Sequence, residues 1–97
     1  NRLEISSDMT LPEGHYLVAI VSNVNGITIT LPPTSTNTQN QYAIVDEAGN
    51  SSINSIRIVP SGSNLISGNT EQIINVNYGT VYMYSTSTNY FILTTLP

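Results

Sequence analysis

The chain contains no cysteine and no lysine, and its only cations are Arg2 and Arg57. Without cysteine it can form neither a disulfide nor a thiolate site. Its single histidine, His15, excludes a histidine-rich metal site within one chain. A formal charge of −4 with two cations cannot build the positive surface that phosphate backbones require, which argues against nucleic acid as a partner. No apolar run approaches the ~18 residues of a membrane span, so we expect no membrane insertion.

Polar residues without charge take the place of ions in this chain. Only 8% of the 97 residues are charged, whereas an average domain has about 25%. Asn, Ser, Thr and Ile each occur 12 times. The length predicts a single domain over residues 1–97, and a domain of this size buries only ~60–65% of its unfolded surface. Because disulfides are excluded, association with further copies is the support that we expect.

The hydrophobic pattern is that of β-strands throughout. Short alternating or continuous apolar runs are separated by Asn, Gly, Ser and Pro, which favours an all-β fold, a small antiparallel β-sandwich of about seven strands. The run at His15–Ser22 is nearly continuous and predicts a strand buried on both faces. The other predicted strands are Ile27–Leu31, Gln41–Asp46, Ser55–Pro60, Glu71–Tyr78, Thr80–Ser85 and Tyr90–Thr94, with an additional short strand at Met9–Leu11.

The last third of the chain carries apolar side chains on both faces of its strands. In Thr80–Ser85, Val81 and Met83 point one way while Tyr82 and Tyr84 point the other. One face can fill the core, and the other needs a partner or a second layer. We therefore predict a subunit interface that includes Val81, Tyr82, Met83 and Tyr84. The alternative is a tight sandwich that buries both faces within one chain.

The polar segment Asp46–Asn50 is the strongest candidate for chemistry, and we interpret it as a turn. Asp46 and Glu47 are adjacent, so in a strand their carboxylates point to opposite faces and cannot converge as an acid/base pair. Asp46 can instead accept hydrogen bonds from backbone N–H groups that follow it, and Gly49 tolerates a positive φ. We expect His15 to be an exposed residue at a strand edge. No catalytic, cofactor-binding or metal-binding residue is predicted.

The order of motifs from Ile27 to Leu93 resembles a β module of tail fibres, tailspikes and related appendage proteins of bacteriophages and other DNA viruses. A strand that ends in Leu-Pro is followed by a Tyr-x-Ile-x-Asp strand, a Gly-Asn turn, a strand of alternating Ile, and an aromatic final strand. The matching residues are Leu31-Pro32, Tyr42, Ile44, Asp46, Gly49-Asn50, Ile56, Ile58, Ile66, Gly68, Tyr78-Gly79 and Tyr90. The resemblance implies an all-β module, often trimeric, on the virion surface, and no catalytic residues.

The resemblance leads to an expected function. The chain would be a fragment or terminal module of a longer fibre protein that forms a homotrimer and presents loops to a host receptor, with surface glycan as the receptor class. Amide and hydroxyl groups pair with sugar hydroxyls, and tyrosine rings offer stacking. The candidate receptor-binding residues lie in the segments 34–40 and 86–90: Thr36, Asn37, Thr38, Asn40, Ser87, Asn89 and Tyr90.

Two alternatives stay open. The first is a purely architectural trimerisation or capsid-protrusion domain that binds no receptor. The second is an enzyme, such as part of a depolymerising spike, which would require converging carboxylates. The six acidic residues show no pairing in the sequence, so we expect no enzyme activity.

Overall fold

Nine β-strands and one short 3-10 helix make up the computed structural model, which describes all 97 residues. The strands are β1 (Arg2–Ile5), β2 (Met9–Thr10), β3 (Tyr16–Ile20), β4 (Ile27–Thr30), β5 (Gln41–Asp46), β6 (Ile56–Val59), β7 (Gln72–Ile74), β8 (Thr80–Ser85) and β9 (Tyr90–Leu96); the 3-10 helix is Thr34–Thr36. The prediction of an all-β fold is confirmed. The predicted count was low because β1, which contains two charged side chains in four residues, lacks a hydrophobic run.

The strands form two sheets, and the chain passes back and forth between them. One sheet has five strands in the order β1-β3-β5-β8-β9, and the other has four in the order β2-β4-β6-β7. From β1 to β6, consecutive strands lie in opposite sheets, so the chain winds as a coil of three turns. Strands β7, β8 and β9 then complete the two sheets.

The winding corrects the prediction of an antiparallel sandwich, because four of the seven strand pairings are parallel. Neighbours in a sheet are two strands apart in sequence along the coil, and each returns in the same direction as the strand before it. The antiparallel pairings are β6 with β7, and β5 and β9 with β8. Both sheets are therefore mixed.

One hydrophobic cluster of 16 buried residues takes side chains from the inner faces of both sheets. The alternation of buried and exposed side chains is lost in the second half of β3, where Val18, Ala19 and Ile20 are all fully buried. The expectation that this strand is buried on both faces holds for those three residues, but Leu17 is 44% exposed. Removing a large apolar side chain from water stabilises the fold by about 1.5–3 kcal/mol, so this cluster is the main favourable contribution.

Candidate functional site

The two segments predicted to bind a receptor lie side by side at one end of the five-stranded sheet. The Thr34 hydroxyl donates a hydrogen bond to the carbonyl of Ser87 at 3.3 Å, and the Gln39 N–H donates to the carbonyl of Ser85 at 3.0 Å. The structure thus joins the loop after β4 to the turn between β8 and β9. Two segments that are distant in sequence form one continuous loop surface.

A buried serine fastens these two segments. Ser85 is only 1% exposed, and its hydroxyl donates to the carbonyl of Asn37 and accepts from the N–H of Asn40 at 3.0 Å. Its own N–H donates to the carbonyl of Asn40 at 2.9 Å. Gln39 between them has a φ of 60°, a left-handed conformation that non-glycine residues rarely adopt. These hydrogen bonds hold the backbone of the loop against β8.

Two of the predicted receptor-binding residues are buried, which removes them from the loop surface. Asn37 and Tyr90 are both 0% exposed. The Asn37 amide nitrogen donates to the hydroxyls of Tyr42 and Tyr90 at 3.0 and 2.9 Å, and these hydroxyls donate to the carbonyls of Pro12 and Pro32. Buried polar groups need hydrogen-bond partners in the core. The bonds of Asn37 and Tyr90 therefore attach the two loops to the core instead of leaving these side chains at the surface.

Burial perturbs the ionisation of the two tyrosines in this network. It raises the pKa of Tyr42 to about 12, and the hydrogen bond from Asn37 opposes the shift only in part. Burial raises the pKa of Tyr90 as well, again against the hydrogen bond from Asn37. Both phenols are therefore neutral hydrogen-bond donors at neutral pH.

The remaining predicted loop residues reach the surface. Thr36, Thr38 and Ser87 are exposed, and Asn40 and Asn89 are half-buried. Between the segments lies a groove of about 510 Å³, lined by Thr38, Gln39 and Gln41 on one side and by residues 84–87 on the other. We call it the loop groove. None of its lining side chains is charged.

On the outward side of the five-stranded sheet, the edge strand β1 carries Arg2 and Glu4. The middle of this side is apolar. It presents Tyr82 and Tyr84, with Leu17, Ala43, Val45 and Phe91 at neighbouring positions, and we call it the tyrosine face. The strand pairing aligns Leu17, Ala43 and Tyr82 in one row across three strands. Tyr84 stacks on Phe91 in the next row, with ring centroids 5.9 Å apart.

The four residues predicted for a subunit interface separate onto opposite sides of the sheet. Val81 and Met83 are 2% and 0% exposed and belong to the hydrophobic core, so they are not available to another subunit. Tyr82 and Tyr84 are half-buried on the tyrosine face. Of the two pairs, only the tyrosines fit an interface, because the alternation of a strand commits the other pair to the core.

The outward side of the four-stranded sheet differs in chemistry. Its outward positions include Thr28, Thr30 and Arg57, and Arg57 forms an ion pair with Glu71 at 2.5 Å. Water can solvate these hydroxyl and charged groups. Val59 and Ile73 also point outward on this sheet, and none of its four strands contains an aromatic residue. The aromatic side chains on the outward sheet faces therefore all belong to the five-stranded sheet.

The Asp46–Asn50 segment is a turn, as predicted, and Asp46 organises it. Asp46 is fully buried, and its carboxylate accepts hydrogen bonds from the N–H groups of Gly49, Ser51 and Tyr78 at 3.0, 3.1 and 3.1 Å. Gly49 has a φ of 75°. The segment crosses from the five-stranded to the four-stranded sheet, and the carboxylate ties it to the turn before β8.

The other charged groups are held in ion pairs or lie apart at the surface. Arg2 donates to both carboxylate oxygens of Glu47 at 2.6 and 2.9 Å and also contacts Glu4. The hydrogen bonds from Arg2 hold the pKa of Glu47 below its usual value. His15 is exposed, as expected, and its Nδ1 accepts from the N–H of Gln41 at 3.1 Å. No group of three or more His, Cys, Asp or Glu residues could hold a metal ion.

Sequence reasoning missed Leu17 on the tyrosine face and Gln39 and Gln41 in the loop groove. Leu17 was missed because the continuous apolar run of β3 does not indicate which of its side chains remains exposed. Gln41 lies inside a correctly predicted strand, but its position beside Tyr84 follows from the pairing of β5 with β8. Glutamine rarely adopts a left-handed conformation, so the residue type gave no reason to predict one at Gln39.

Comparison with known proteins gives no family for this chain. No protein-family model matches it, and no curated protein is similar enough in sequence to match. The structure has no helix that is both long and apolar enough to cross a membrane.

Proposed function

We propose that the chain is a structural and adhesive module of a virion fibre or spike, a two-sheet sandwich that forms a homotrimer and presents its loop end to a host receptor. The subunit interface in this proposal is the centre of the tyrosine face, the row of Leu17, Ala43 and Tyr82, and Tyr84 lies at its margin. The resemblance described above supplies the fibre context, and the physical support comes from the surfaces of the chain.

The observation that carries the proposal is the difference between the two outward sheet faces. The tyrosine face carries Tyr82, Tyr84 and Phe91 on β8 and β9 and Leu17, which is 44% exposed, on β3, whereas the strands of the other sheet contain no aromatic residue. Aromatic residues are enriched and charged residues depleted at the centre of protein interfaces. A chain of 97 residues also gains stability by burying such a face against copies of itself.

The test is the solution mass measured by light scattering over a range of concentrations. We expect three times the 10.5 kDa of one chain, unchanged on dilution. Replacing Tyr82 and Leu17 together by serine should yield a folded monomer, because both side chains lie on the tyrosine face. The matched control is Val59→Ser, which makes the same change of polarity on the outward side of β6 and should leave the trimer intact.

A stable monomer at all concentrations for the unaltered chain would overturn the trimer. A monomer produced equally by Val59→Ser would show that the loss of mass reflects general destabilisation and not this face. The purely architectural alternative predicts the same trimer with no attachment to host cells. Binding of labelled trimer to host cells therefore separates the two functions.

A further inference from the structure

We infer that the loop groove binds the neutral pyranose units of a glycan, with the ring of Tyr84 as its stacking surface. The inference rests on the proposed function, because it names the ligand class and the site of host attachment. The groove volume of about 510 Å³ falls within the ~300–1,000 Å³ of small-molecule sites.

The groove offers hydrogen-bonding groups that the fold itself does not use. The side-chain amide of Gln39 and the hydroxyls of Tyr84 and Ser87 have no hydrogen-bond partner within the chain. Gln41 uses only its amide oxygen, which accepts from the Tyr82 hydroxyl at 2.8 Å, and its amide nitrogen is available. Amides and hydroxyls each supply both donors and acceptors, as the adjacent hydroxyls of a pyranose require.

The aromatic wall complements the other side of a sugar. A pyranose has an apolar face of C–H groups, and a tyrosine ring can cover that face while its hydroxyl stays in contact with water. Tyr84 is held in place by stacking on Phe91, at an interplanar angle of 29°. Because no lining side chain is charged, the groove has no ion pair to offer a sialic acid or a sulfate.

Tyr84 lies where the tyrosine face meets the loop groove. The row of Leu17, Ala43 and Tyr82 forms the centre of the proposed interface, and Tyr84 belongs to the next row towards the loops. In that row it is paired with Gln41, which also lines the groove. The trimer therefore uses the centre of the face, and the ring at its margin is left for the sugar.

The walls of the groove are fixed in the unbound chain. The hydrogen bonds of Ser85 to Asn37 and Asn40 hold one wall against the other. The turn on the far side is closed by the Thr86 N–H, which donates to the carbonyl of Asn89 at 2.8 Å. A rigid site loses less entropy on binding, which favours the weak contacts that sugars make.

A second groove nearby shares Ser87 with the loop groove but has no aromatic wall, and it serves as an internal control. It measures about 420 Å³ and is lined by residues 33–35, 61–64 and 87–88, none of them aromatic. Both polar atoms of the Asn64 side chain already bond within the chain there, since the oxygen accepts from the Thr34 N–H and the nitrogen donates to the carbonyl of Thr88. We expect no sugar to bind at this position.

The experiment applies the full chain to an array of immobilised neutral hexose and N-acetylhexosamine oligosaccharides, with sialylated and sulfated glycans alongside. The neutral oligosaccharide retained most strongly is then titrated by calorimetry. Two variants test the groove: Gln39→Gly removes the amide and keeps the left-handed backbone, and Tyr84→Leu removes the ring and keeps an apolar side chain on the tyrosine face. Ser63→Ala in the second groove is the control.

We expect neutral glycans to be retained, each groove variant to weaken binding about tenfold or more, and Ser63→Ala to change it less than twofold. Retention of charged glycans alone, retention of none, or equal affinity in the groove variants would overturn the inference. Light scattering on the same samples separates the proposals. A trimer that binds no neutral glycan refutes the groove alone, and a monomer that binds through Tyr84 refutes the trimer alone.

Discussion

Replacing Asp46 by alanine should destabilise the fold more than any change to the other carboxylates. Its side chain is completely buried at the end of β5 and accepts three backbone N–H bonds that have no other partner in the chain. Two of these donors, from Ser51 and Tyr78, share the oxygen Oδ2. Alanine would leave all three donors without an acceptor and break the link between two turns that are distant in sequence.

The magnitude follows from the position of each donor. A buried donor without a partner costs about 1–3 kcal/mol, and the Ser51 N–H is buried, whereas those of Gly49 and Tyr78 are partly buried and can recruit water. About 2 kcal/mol for the first and about 1 kcal/mol for each of the others gives about 4 kcal/mol. Relief from burying the charge lowers the net cost to about 3 kcal/mol. A domain of this size has about 5–15 kcal/mol in total.

The assay is urea unfolding at neutral pH and constant chain concentration, followed by circular dichroism. We expect Asp46→Ala to lower the midpoint with an unchanged m-value. Asp46→Asn should cost about 1–2 kcal/mol, because the amide oxygen can occupy the Oδ2 position and only the bond from Gly49 is lost. The control is Glu47→Gln, which alters an exposed ion pair and should leave the midpoint almost unchanged. A cost for Asp46→Ala no larger than for this control would refute the role of the carboxylate.

Two further predictions concern the tyrosine network and a buried glycine. Burial holds the pKa of Tyr42 at about 12 and also raises that of Tyr90, whereas an unfolded tyrosine ionises near ~10. The unfolded state therefore loses protons first, and stability should be complete below pH ~10 and fall as the pH rises towards ~12. In an absorbance titration, two of the six tyrosines should ionise late, and ionisation of all six near pH ~10 in the folded chain would contradict this. Gly79→Ala should cost about 3 kcal/mol in thermal or urea unfolding, because the added Cβ would lie 2.9 Å from the carbonyl oxygen of Val76. Gly62→Ala meets no neighbouring atom and should cost about 1 kcal/mol for its left-handed φ, so equal costs would argue against the close contact.

All strands of this fold except β1 could be located from the sequence, but their partners could not. The limits predicted for β5 and β8 agree with the structure at both ends, because alternation and the flanking turn residues mark them clearly. Alternation says which side chains share a face and nothing about which strand lies beside them. The antiparallel sandwich was predicted from short strands separated by turn residues, whereas β1 to β6 change sheets at every connection.

The candidate site was predictable as a region and not residue by residue. Polar composition identified both loops correctly as connections, and the structure places them in contact. Composition cannot distinguish Asn37, which is an internal anchor, from Asn40 beside it, because the same side chain serves either purpose. Tyr90 was predicted correctly as the first residue of the last strand, but it was also assigned to the receptor-binding surface, whereas its side chain points into the core.

The winding of the chain between its sheets also determines the order in which the fold can assemble. No strand from β1 to β5 pairs with the strand next to it in sequence, so the first half of the chain can form no hairpin. Pairs between sequence neighbours occur only for β6 with β7 and β8 with β9. These local pairs close the shortest loops and should form first. The parallel pairings should form later, because they join segments that are distant in sequence. During synthesis, the segments that pair most readily therefore emerge from the ribosome after β1 to β5. A nascent chain that ends before β8 lacks the strand that pairs with the second edge of β5.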